Sequence, residues 1–167
     1  MIRKPQSKQS GMNSHNYTVG YIFKVLCRHM KNVDIRLYPM HQKVVDVSNQ
    51  RYLVCHGHGV KGWAGIPFYG IERKVGKEAK ARLHDPSERR FTKIVQGHFH
   101  ISLISDWYSV GPSVSGTDAY DHKEGRRSDP GQNGWFVHPK RGEFDHTVFN
   151  LSTGEAENAA LLVDPEV

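Results

Sequence analysis

Four histidines carry the strongest chemical signal in this chain. They stand as two His-x-His units, His56-Gly57-His58 in RYLVCHGHG and His98-Phe99-His100 in FTKIVQGHFH, each following a short apolar run with glycine beside it. In an extended chain residues i and i+2 point to the same side, so each pair can converge on one small volume. Gly57 and Gly97 remove side chains that would crowd a ligand or a sharp turn. Neutral imidazole is the commonest metal ligand near neutral pH. Loops at strand ends are where α/β proteins place their chemistry, so two such units at the ends of neighbouring strands are what a metal site needs.

Other groups can reach that site. Asp118, Tyr120, Asp121 and His122 lie together in the long segment GPSVSGTDAYDHKEGRRSDPGQ, as substrate-binding or supporting groups. Arg126 and Arg127, like Lys140 and Arg141, offer guanidinium and ammonium groups to phosphate. Trp63, Trp107 and Trp135 read as core or loop anchors before they read as base-stacking groups. A cupin-type site would want a Glu soon after His58, and residues 59–63 contain no acid. A zinc-finger reading fails because Cys27 and Cys55 form no closely spaced pair.

The elements that must position these groups follow from periodicity. Val19, Ile22, Phe23, Leu26 and Met30 recur at helical spacing over residues 16–30, predicting a helix with one buried face and Asn16 as its N-cap. VDIRLYP, KVVDVS and RYLVC read as short strands, the last two joined as a hairpin at Asn49-Gln50. IERKVGKEAKARLH is helical in propensity, with Arg73, Lys74, Lys77 and Lys80 able to follow a phosphate backbone. FTKIVQ, SDWYSV, NGWFVH and EFDHTVFNL read as later strands. Strands, helices and then more strands predict an α/β or α+β layered domain of mixed sheets with flanking helices. Residues 1–14 read as a flexible basic arm, 15–152 as the domain, and 153–167 as an acidic peripheral tail.

Composition bounds the class. The 167 residues make one domain or part of a larger one, and 16 glycines with 8 prolines signal many turns. No run approaches 18 apolar residues, so no membrane span is expected. Two cysteines and an N-terminus without an apolar core segment predict a cytoplasmic protein without disulfides. The net charge of +6 suits phosphate-bearing partners, nucleic acid included.

With His-Gly after one strand and Gly-His-x-His after the next, the chain resembles the calcineurin-like metallophosphoesterases. The resemblance extends to phage and bacterial phosphoesterases and DNA-repair exonucleases of that family, in the Gly-x-Asp-x-Tyr of Gly116–Tyr120 and the later Pro130-Gly131-Gln132, and covers roughly residues 16–152. It implies that His56 binds a second metal and His98 joins it there, while His100 binds a first. His58 would sit near the substrate phosphate, with Asp118, Tyr120, His122 and Arg126. The implied cofactor is a pair of divalent cations, manganese, iron, zinc or magnesium, that clamp a phosphate ester and activate water.

The family's earlier motifs, Asp-x-His, Gly-Asp and Gly-Asn-His, do not occur ahead of His56. The resemblance therefore implies the C-terminal half of such a domain: a split gene, a truncated reading frame, or a chain that needs a second polypeptide to supply the rest. Absent strands would leave sheet edges and an apolar face exposed. The alternative is a non-catalytic module that binds metal, or uses its basic surface on nucleic acid or protein.

Overall fold

The computed structural model describes residues 15–61, 67–123, 125 and 127–152. Helix α1 (His15–Leu26) runs into a 3-10 turn at Cys27–His29. The hairpin β1 (Gln42–Val47) and β2 (Gln50–Cys55) follows, then helix α2 (Phe68–Ala81). Strands β3 (Lys93–Gln96), β4 (Leu103–Ile104) and β5 (Tyr108–Val110) precede a short helix α3 (Ala119–Lys123), and the chain closes with the hairpin β6 (Gly131–His138) and β7 (Gly142–Asn150). The arm expected at residues 1–14, the tail expected at 153–167, and Trp63 and Arg126 fall outside the described residues.

Five strands form one mixed sheet in the order β1-β2-β3-β5-β4. The three central strands are parallel and both edges are antiparallel. Helix α2 is the crossover between β2 and β3, as a parallel pair requires.

The register sorts the side chains into two faces. Leu53 stands beside Ile94, and Ile94 beside Tyr108, while Gln96 stands beside Val110. This face meets α2 through Ile71 and makes the core of Leu53, Ile71, Ile94, Phe99, Tyr108 and Val110. Tyr52, Lys93 and Ser109 point the other way and meet β6–β7. The Trp135 indole donates to the Tyr52 hydroxyl at 3.0 Å, and the Asn133 amide donates to Ser109 Oγ at 3.0 Å and to the Val110 carbonyl at 2.8 Å. Lys93, 2% exposed, pairs with Glu143 and lies 5.3 Å from the centroid of the Trp135 ring. The result is a three-layer α/β arrangement: helix, mixed sheet, hairpin.

Several expectations are corrected. Residues 33–39 form no strand, because no sheet strand accepts their backbone beyond the β1 edge. Asn16 lies inside α1 rather than capping it. The apolar residues of α1 are not buried: Val19, Ile22, Phe23 and Leu26 are 51%, 51%, 56% and 68% exposed. Gly20 explains what contact α1 does make, since a Cβ there would lie 2.8 Å from Leu37 Cδ2. The helix after β2 starts at Phe68, taking in residues expected as loop. Strand β4 and helix α3 were not anticipated, both being too short for periodicity to register.

Candidate metal centre

Strands β2 and β3 run parallel and in step, Cys55 beside Gln96, so both end at the same height. The two histidine units leave the sheet there as neighbours. Gly57 makes the crossing possible. Its φ is 103°, and a Cβ would stand 2.9 Å from the Gly97 carbonyl and 3.1 Å from His98 Cβ, so only glycine fits. His98 Nδ1 then lies 3.2 Å from His56 Nε2. Two imidazole nitrogens held tetrahedrally at zinc–nitrogen distance would stand roughly 3.3 Å apart, so this spacing fits a shared cation.

The second unit does not converge as an extended chain would. His98 and His100 both have positive φ, 80° and 56°, a region that non-glycine residues occupy at a cost and that concentrates at functional sites. Between them Phe99, 6% exposed, is anchored in the core. The turn thus sends its two imidazoles to different partners. His98 goes to His56, while His100 Nδ1 meets Asp121 Oδ2 at 2.5 Å.

Asp121 is held by local structure. Asp118 Oδ1 accepts the Asp121 backbone N–H at 2.8 Å, and Asp121 Oδ2 lies 3.4 Å from the Asp118 N–H. This reciprocal pattern across four residues is a capping box that starts α3. It turns a short loop sequence into a rigid carboxylate pair. One ligand atom from each of His100, Asp118 and Asp121 lies within 4.8 Å of the others. Asp121 is 1% exposed, His100 half-buried and Asp118 exposed, so the cluster is anchored on one side and open on the other. Oxygen-rich ligation with one imidazole suits a hard or borderline divalent cation and does not select one.

The other sequence-derived residues fall as follows. His58 is exposed and packs against His56, ring centroids 5.7 Å apart. His122 is exposed on α3, directly after Asp121. Tyr120 lies on α3, but its side chain, like Arg126, is outside the described set. Arg127 is exposed, and Lys140 and Arg141 sit in the β6–β7 turn, their backbone N–H groups donating to His138 Nδ1.

His41 was missed. It precedes β1, and the register that pairs Gln42 with Cys55 sets it opposite His56, its ring 5.9 Å from that of His58. The signal was present in the hairpin: counting outward from the Ser48-Asn49 turn reaches this pairing. Asp121 contacts His100 as a supporting group would and also stands, with Asp118, among the possible ligands, a role that the spacing Asp118-x-x-Asp121 could suggest.

No family model matches the chain, and no curated protein matches it. Among solved structures it is similar to a double mutant of Vps29 from Entamoeba histolytica, at 12% identity and a TM-score of 0.47, over 84% of this chain and 79% of that one. A likeness of that degree says nothing of chemistry. Among the described residues, no helix is long and apolar enough to cross a membrane.

Proposed function

We propose that the protein is a metal-dependent phosphoesterase of the calcineurin-like kind. The observation that carries this reading is the cluster of His100, Asp118 and Asp121, with ligand atoms within 4.8 Å of one another; His100 comes from the turn after β3 that brings His98 to His56, and the two aspartates from the start of α3. The residues fit divalent cations at two places: His100 with the two aspartates, and His56 with His98. Cations bound there would polarise a phosphoryl oxygen and lower the pKa of a coordinated water.

The chain's own residues do the remaining work. The capping box holds Asp121 in place, and Asp121 in turn fixes the orientation of the His100 ring. Phe99 anchors the turn so that neither imidazole swings into solvent. His58 and His122, exposed beside the two half-sites, orient the phosphate ester, nucleic acid among the candidates. Because Asp118 and Asp121 offer carboxylates from this chain, the reading does not depend on a second polypeptide for its acidic ligands.

The test is metal stoichiometry by elemental analysis, on protein loaded with manganese and then desalted, with hydrolysis of a chromogenic phosphomonoester and phosphodiester followed in parallel. Two ions per chain and turnover that both fall in His100→Ala and in His56→Ala support the enzyme. One ion without turnover supports the binding-module alternative. No ion sinks both metal readings.

A further inference from the structure

A second site lies on the α2 side of His56. A cavity of about 260 Å³ opens between α2 and the segment that follows β2; His41, His56 and His58 line its metal-centre side, and Lys61, Arg73, Lys74 and Lys77 the rest. Arg73, Lys74 and Lys77 share one side of the helix by their spacing. Lys61 joins them because the loop presses onto the helix at Gly70, where a Cβ would stand 2.2 Å from the Lys61 carbonyl oxygen. The convergence is thus built into the backbone.

Among the described residues the one lining carboxylate is shared elsewhere, so the four cations outnumber their counter-charge. Lys74 Nζ contacts Cys55 Sγ at 3.1 Å and Gln96 Oε1 at 3.3 Å, neither of them a carboxylate. The lining carboxylate, Glu78, is already held by Arg82 and by the Gln42 amide. Among the described residues none of the four cations makes an ion pair. Lys61, Arg73 and Lys77 are exposed, while Lys74 is half-buried at the cavity wall. Like charges gathered round a small cavity repel unless an anion joins them.

Phosphate oxygens match this donor set, the guanidinium binding in a bidentate way and the ammonium groups as point charges. One phosphate carries about −1.5 to −2 at neutral pH, so four cations call for more than one. We propose that this cavity binds a compact polyphosphate anion, a di- or triphosphate group, either inorganic or the phosphate tail of a nucleotide. The site shares the wall at His56 with the metal centre but does not require it.

The experiment is isothermal titration of the full chain in chelator with inorganic tripolyphosphate, a nucleoside triphosphate and the matching nucleoside. The expected result is saturable binding of both triphosphates and none of the nucleoside. Affinity should drop by at least about tenfold in Arg73→Gln/Lys77→Gln. Both positions are exposed, so circular dichroism should show the fold retained. Equal affinities identify the phosphates as the whole ligand, and tighter binding of the nucleotide identifies it as the source. His100→Ala should bind as the parent does, which separates this site from the proposed enzyme. Absence of binding at millimolar ligand, or binding unchanged in the double variant, overturns the proposal.

Discussion

At the scale of single residues, the candidate centre depends on backbone positions as much as on ligands. Gly57→Ala places a methyl group 2.9 Å from a carbonyl oxygen at a φ of 103°. The expected loss is about 1–3 kcal/mol, read by urea unfolding, together with weaker metal retention as the His56–His98 contact is pushed apart. Asp121→Ala removes the partner of His100 and the closing member of the capping box. Stability should fall by about 1–3 kcal/mol, and manganese retained after desalting should fall below that of the parent. Asp121→Asn keeps the shape but not the charge, so it should recover much of the stability and little of the metal.

At the scale of elements, the β6–β7 hairpin is fastened to the sheet by polar links that respond to pH. Burial pushes the Glu143 carboxyl up, yet hydrogen bonds from Lys93, His146 and Tyr52 outweigh it and hold it below its ordinary 4.5. The folded state therefore binds that proton less readily than the unfolded chain. Its contribution is present above pH 4.5 and is lost as pH falls toward the lower folded value. Burial pushes the Tyr52 hydroxyl up to about 12 from 10.0, against the hydrogen bond from Trp135. That contribution is present below pH 10 and lost as pH rises toward 12. Chemical unfolding across pH should show both limbs, and Glu143→Gln should flatten the acid one. Lys93→Ala removes the cation paired with half-buried Glu143 and leaves it the hydrogen bonds of His146 and Tyr52, so it should cost about 1–3 kcal/mol at neutral pH.

At the scale of the whole molecule, the core is small and the apolar surface is large. Tyr21, Phe23 and Leu26 on α1 and Phe136 and Phe149 on the closing hairpin are all more than half exposed. Among the described residues this exposure is greatest along α1, where Val19, Tyr21, Ile22, Phe23 and Leu26 are each at least 51% exposed. Because Ile22 and Leu26 bury little, Ile22→Glu/Leu26→Glu should change unfolding free energy by no more than about 0.5 kcal/mol per position. A much larger loss in a denaturant melt would show that α1 is packed in solution.

Much of this was legible in the chain itself. Short apolar and β-branched runs bounded by turn residues located β1, β2, β3, β5, β6 and β7. His-Gly-His and Gly-His-x-His at two strand ends marked the candidate site, and the two units do meet, at His56 and His98. Three things came only from tertiary structure. An i, i+2 spacing aims two side chains together only in an extended backbone, and the core's hold on Phe99 bends residues 98–100 out of that form. The contact of Asp121 with His100 needed a helix five residues long, whose existence depends on its own capping box. The cavity at Lys61 and Arg73 needed the β2-to-α2 loop to fold back onto Gly70. Residue types and strand ends are local properties, written in composition and period. Which imidazole meets which carboxylate is set by packing between segments far apart in sequence, and no local pattern encodes that.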